Sequence, residues 1–180
     1  MISDFFLALL LALIQGLTEF LPVSSSAHLL FPSLLFGAKD FGIVFDISVH
    51  AGTLAAVIYY FKKEIQGLLQ AWNPWTKTRN TENFSLGLNL IVATLPIILV
   101  GMLASDLTES RSANIDSIAW ANLIFAGLLY AAFKSSSQSK SLTELTLFAA
   151  LTIGCFQAFA VFPGASRSGM AIIGALVIGL

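Results

Sequence analysis

Residues 15–28, QGLTEFLPVSSSAH, lie between two apolar arms at 5–14 and 29–36. They put a carboxylate (Glu19), a proline turn (Leu21-Pro22), three serines (Ser24, Ser25, Ser26) and a histidine (His28) in the middle of a greasy stretch. This is the strongest constraint on the fold, because of the company it keeps. The chain is 57% hydrophobic and only 11% charged, with mean hydropathy +0.85, whereas soluble domains run at about 25% charged. It therefore reads as an integral membrane protein. At membrane depth, polar groups and irregular backbone are tolerated where they face protein or a water-filled cavity. The stretch must accordingly line a site. The net charge of −1 gives no footing for nucleic acid. A single cysteine, Cys155, rules out an internal disulfide. Asp4 stands where a signal peptide would be basic, and no small-residue cleavage site follows, so the mature fold is expected to start at Met1.

The uninterrupted first arm has ten residues, half of the roughly 20 a helix needs to cross a bilayer. The second is shorter and contains Pro32. Two short arms around a polar turn predict a re-entrant hairpin over 5–36, preferred over one ordinary span followed by a loop. Three spans are expected next, at 41–61, 86–104 (with a kink at Pro96) and 118–133. The loop after Phe61 carries Lys62, Lys63, Lys77 and Arg79, and the loop after Phe133 carries Lys134 and Lys140. The loop between the second and third spans has Arg111 alone against Asp106, Glu109 and Asp116. The positive-inside rule then puts the first two loops in the cytoplasm and the third outside.

Residues 145–180 repeat the opening pattern. Leu21-Pro22-Val23-Ser24-Ser25-Ser26 finds its echo in Phe162-Pro163-Gly164-Ala165-Ser166-Arg167-Ser168, and a glutamine precedes each proline, Gln15 and Gln157. An odd number of spans between two hairpins makes them enter from opposite faces. The expected fold is all-α, an inverted-topology repeat of re-entrant hairpin plus three spans, with the hairpin tips meeting near mid-membrane. The single transmembrane domain over 1–180 would comprise the first hairpin (5–36), three spans (41–133) and the second hairpin (145–180). The second copy lacks its three spans, so the chain is expected to be a fragment.

Each turn opens a helical arm and so offers free N–H groups and a positive dipole end. Serines suit the N-cap, and two helix N-termini on one cavity form an anion site suited to phosphate. Arg167 adds a planar fork for two phosphate oxygens. Glu19 fits a hard divalent cation or acid–base work, and His28 a nucleophile, acid or base. Phosphate, metal and histidine together suggest phosphoryl transfer. Against this stand plainer roles: serines that only cap or pack, Glu19 paired structurally with His28, Arg167 on lipid headgroups. Asp46 and His50, four apart on one helical face, read as a hydrogen-bonded pair or as support behind the site.

At these residues the chain resembles the undecaprenyl-pyrophosphate phosphatases associated with bacitracin resistance. The likeness rests on QGLTEFLPVSSSAH at 15–28, FDISVHAGTLAAVIYYF at 45–61 and PGASRSG at 163–169. It implies removal of the terminal phosphate from a C55 polyprenyl pyrophosphate lipid, recycling the carrier for peptidoglycan synthesis. It also implies a multi-pass protein of the bacterial inner membrane, its active site opening to the periplasm, and a divalent cation, Mg2+ or Ca2+, with Glu19 as metal ligand. Carried over by position, Glu19, Ser25, His28 and Arg167 are catalytic. Ser24, Ser26, Ser166, Ser168, Gly164 and Gln15 complete the substrate-binding set. Members of that family often have a second glutamate where this chain has Gln15, which cannot supply charge or accept a proton. The rival reading is a polyprenyl-phosphate transporter or flippase using the same inverted-repeat anion site. Neither reading decides between a monomer and a homodimer.

Overall fold

The computed structural model describes residues 3–75, 80–104, 114–137 and 139–180. Among them the regular structure is helical, with no strand. Helix α1 (Asp4–Thr18) and helix α2 (Ser25–Phe36) pack on each other. At 15 and 12 residues they rise about 22 and 18 Å at 1.5 Å per residue, short of the roughly 30 Å hydrocarbon layer. An ion pair between Lys39 and Asp4 joins their outer ends.

Among the described residues three helices are long and apolar enough to cross a membrane: α3 (Gly42–Tyr60), α5 (Thr81–Leu103) and α6 (Ile115–Ser135). Between α3 and α5 runs the amphipathic α4 (Lys62–Trp72), which packs on α5 with the Trp72 and Phe84 rings 4.8 Å apart. Only 6% to 11% of each span's apolar window is buried inside the protein, so the greasy surface faces outward. Helix α5 starts five residues before the expected 86, and α6 starts three before 118 and ends two after 133. The reason is capping. Asn80 accepts from the Asn83 N–H (3.1 Å) and Asn114 from the Ser117 N–H (2.8 Å), which carries each helix out into a polar first turn. The loop charges Lys77, Arg79, Asp106, Glu109 and Arg111 lie outside the described residues.

A short 3-10 turn (Leu142–Glu144) leads into α7 (Leu147–Ala158), which tightens into a second 3-10 turn (Phe159–Val161) before the Pro163 bend. Helix α8 (Arg167–Val177) follows. Helix α7 lies along α5, and the contact is close because residue 154 is glycine. A Cβ there would sit 2.5 Å from the Ala93 carbonyl oxygen and 2.9 Å from Pro96 Cγ. Helix α8 packs between α6 and α7 and is the best-buried helix described, hiding Gly169, Met170, Ile173, Gly174 and Leu176. Met170, Ile173, Leu176 and Ala132 form the core, with Phe125, Leu129 and Phe156 against it. In a bilayer such a core is held by van der Waals packing and close helix approach rather than by removal of apolar surface from water. This core fixes where α8 begins, and its N-terminus carries the chemistry. Both polar turns are shorter than their sequence suggests: Ser25–His28 and Arg167–Gly169 are already helical.

Candidate active site

The turn from α1 to α2 touches the turn from α7 to α8. Ser168 Oγ donates to the Leu21 carbonyl at 2.9 Å and Ser166 Oγ to the same oxygen at 3.5 Å, across 147 and 145 residues of chain. The two serine hydroxyls are 3.0 Å apart. Pro22 fits against Gly169, where a Cβ would come within 3.3 Å of the proline ring. The turns close on a small polar cavity of about 80 Å3, lined by Glu19, Ser24, Ser25, Ser26, His50, Ala160, Ala165, Ser166 and Arg167.

Glu19 is the C-cap of α1, its N–H donating to the Gln15 carbonyl at 2.9 Å. Its Oε2 accepts two short hydrogen bonds, from Ser25 Oγ and from Gln15 Nε2, both 2.6 Å. His50 Nε2 lies 3.5 Å from the same oxygen. Gln15 is completely buried, and its Oε1 has no hydrogen-bond partner. Ser24, also buried, is the only described non-glycine residue at positive φ (59°). As N-cap of α2 its side chain makes no capping bond, and its hydroxyl lies 3.4 Å from that of Ser26.

The other turn is built conventionally. Ser166 caps α8 by accepting from the Gly169 N–H at 3.2 Å. Gly164 has φ 95°, and a Cβ on it would come within 2.8 Å of the Ile118 carbonyl oxygen, so it is held by both conformation and packing. It faces α6 and does not line the cavity. Ser168 is bonded to the neighbouring turn rather than set in the cavity wall. Arg167 is the first residue of α8, and among the described residues its side chain joins no ion pair. Two helix N-termini and an uncompensated guanidinium therefore face the cavity, an arrangement that holds an anion with several oxygens.

The two histidines part company here. Each donates Nδ1–H to the backbone carbonyl four residues earlier: His28 to Ser24 at 2.9 Å and His50 to Asp46 at 2.7 Å. His28 then turns toward Phe31, with ring centres 5.5 Å apart, and is not in the cavity wall. His50 is in that wall, which sequence reasoning set behind the site. The signal was the Asp46–His50 spacing; which way that face turns is decided by the packing of α3 on α1. Glu19, His50 and Arg167 also border a larger groove of about 720 Å3 that runs along α3 past Ile43, Ile47, Leu54 and Val57. Among the described residues no three of His, Cys, Asp and Glu converge as a ready-made metal cluster.

A family model described as "Bacitracin resistance protein BacA" matches residues 8–180. A protein of Saccharophagus degradans named undecaprenyl-diphosphatase is 47% identical over 98% of this chain and 66% of its own length. One of the same name from Teredinibacter turnerae is 44% identical over 98% of this chain and 67% of its own. "Undecaprenyl-diphosphatase 1" of Pseudoalteromonas translucida is 42% identical over 96% and 65%. The chain spans about two thirds of the length of these relatives.

Proposed function

The chain belongs to the bacitracin resistance protein BacA family, and from that premise we propose that it serves as an undecaprenyl-pyrophosphate phosphatase. Its product would be undecaprenyl phosphate, the recycled lipid carrier of cell-wall synthesis. The names of the relatives support this reading. The observation that carries it is the meeting of the two Pro–Ser turns on one polar cavity, with Glu19 on one side and Arg167 on the other.

The terminal phosphate sits against the N-termini of α2 and α8, with Arg167 gripping two of its oxygens. Ser25 Oγ, bonded to Glu19 at 2.6 Å, is the hydroxyl best placed to attack. Its proton passes to the Glu19 carboxylate as the Oγ–P bond forms. The bridging P–O bond breaks with its electron pair leaving on the lipid monophosphate, and water then hydrolyses the phosphoserine. The apolar groove along α3, opening from Glu19 and Arg167, suits the polyprenyl chain.

The residues present fit a divalent cation. The Glu19 carboxylate and the Ser24, Ser25 and Ser26 hydroxyls in the cavity wall are oxygen donors of the kind Mg2+ and Ca2+ accept together with substrate phosphate. Glu19 would hold it, and Gln15, bonded to Glu19 at 2.6 Å, would orient that carboxylate. When bound, such a cation neutralises phosphate charge.

We read the hairpins at 5–36 and 145–180 as re-entrant halves of an inverted repeat flanking the spans at 41–133, in one domain. The site then opens to the periplasmic face of the inner membrane. Lys62 over the Tyr59 ring (4.5 Å) and Lys134 over Tyr130 (5.9 Å) support this by marking the basic ends of α3 and α6. The test is phosphate release from C55 pyrophosphate by purified protein in detergent with and without added Mg2+ or Ca2+. Release that depends on the cation and disappears with Arg167→Ala supports the reading; no release under any cation overturns it.

A further inference from the structure

We propose that His50 is a cation ligand, so that the metal site has a nitrogen donor as well as oxygen donors. The inference rests on the cation reading above and assigns a residue to it. His50 Nδ1 faces the Asp46 carbonyl at 2.7 Å. A carbonyl oxygen only accepts, so Nδ1 carries the proton, and in the neutral ring Nε2 presents a lone pair. That lone pair lies 3.5 Å from Glu19 Oε2, itself an acceptor. That oxygen also accepts from Ser25 Oγ and Gln15 Nε2, and a cation shared with His50 would turn the remaining acceptor-to-acceptor approach into an attraction.

An imidazole whose Nδ1–H is pinned by a backbone carbonyl is the tautomer and orientation seen in metal-ligating histidines. The separation also suits a shared cation. Two donors each about 2.1 Å from one metal stand roughly 3.0 Å apart in an octahedron and roughly 3.4 Å apart in a tetrahedron. The side chains of His50 and Glu19 are 34% and 21% exposed, so both are reachable from the cavity. The other charged groups bordering His50 are Asp46 on its own helix and Arg167 on α8. Gln15, whose Nε2 donates to the same Glu19 oxygen at 2.6 Å, is in neither the cavity wall nor the groove wall. His28 has the same Nδ1 anchor but is not in the cavity wall, which makes it the natural control.

A nitrogen ligand biases the site toward first-row transition cations over Mg2+ and Ca2+, and Mn2+, the one nearest to Mg2+ and Ca2+ in its taste for oxygen, serves as the paramagnetic probe. The experiment uses the purified protein in detergent with Mn2+ and methylenediphosphonate, a pyrophosphate analogue that resists hydrolysis. Pulsed electron paramagnetic resonance of the bound Mn2+ should show 14N modulation. His50→Gln should abolish that modulation and weaken Mn2+ binding by about tenfold or more, with a much smaller change for Ca2+. His28→Gln should leave both unchanged. Bound Mn2+ without 14N modulation in the parent overturns the assignment and points to a proton between His50 and Glu19. Modulation lost with His28→Gln instead of His50→Gln overturns it in favour of the other histidine. No Mn2+ binding at all overturns the cation reading, and this assignment with it.

Discussion

The two Pro–Ser turns look alike in sequence and are built to opposite standards. The α7–α8 turn follows the rules of helix starts: glycine at positive φ, serine capping its own helix, and a helix behind it buried in the core. The α1–α2 turn breaks them. Ser24 takes a left-handed conformation that costs a non-glycine residue about 1–2 kcal/mol, its hydroxyl leaves α2 uncapped, and α2 buries only Ala27 and Leu29. Glu19 and the Ser25 hydroxyl sit on the irregular turn, Arg167 on the regular one. The difference suggests a division of labour. One turn is a fixed platform for the phosphate charge, and the other spends stability to hold a carboxylate and a hydroxyl 2.6 Å apart.

The comparison breaks first at Glu19. If the irregular turn carries the chemistry, Glu19→Gln should lower phosphate release by about 10^3-fold while barely changing the unfolding transition. Raising the cation concentration should restore part of it. A parental rate with a parental cation dependence would reduce Glu19 to a structural partner of Ser25 and Gln15. A smaller loss, about 10^2-fold, is expected for Arg167→Lys, which keeps the charge but not the two parallel hydrogen bonds. Near-normal turnover in that variant would make Arg167 a generic counter-charge.

On the platform side, Gly164→Ala should act through folding. The new Cβ meets the Ile118 carbonyl at 2.8 Å at a residue with φ 95°, so a stability loss of about 2–3 kcal/mol is expected. It should appear as a lower melting temperature in detergent, with the activity of the surviving folded fraction retained. An unchanged melting temperature would mean the turn is free to move away from α6.

Much of this arrangement is legible in the sequence, and what is not has a physical cause. Hydropathy finds the three spans because lipid demands apolar side chains of bilayer length. It misses their ends, since Asn80 and Asn114 extend α5 and α6 into polar turns through capping. The repeated Pro–Ser pattern foretells two turns that meet, and Ser168 and Leu21 join them. The histidines are a different matter. Helical spacing places Asp46 and His50 on one face, but only the packing of α3 on α1 decides that this face looks at Glu19. His28, within the motif itself, is drawn toward Phe31. Nothing in a run of three serines tells that the first is strained while the second is bonded to a carboxylate.

The smallest effects test the asymmetry most directly, because they should differ in sign. Ser24→Gly relieves the left-handed strain, about 1–2 kcal/mol, against the extra unfolded-state entropy of glycine, about 0.5–1 kcal/mol. The caps lose nothing, since the Ser24 hydroxyl makes no capping bond and its contact with Ser26 is long at 3.4 Å. Net stabilisation of about 0.5–1 kcal/mol is expected from the difference. In the other turn, Ser166→Ala removes the bond to the Gly169 N–H and the contact with Leu21, costing about 1 kcal/mol as N-cap losses do. Thermal unfolding of the two variants beside the parent gives both signs in one measurement. Turnover supplies the second half of the test. If the conformation of Ser24 aims Ser25 at Glu19, the glycine variant should release phosphate more slowly although it melts higher. A Ser24→Gly protein that is both more stable and equally active would show that the strain serves no catalytic end, and the division between the turns would be one of packing alone.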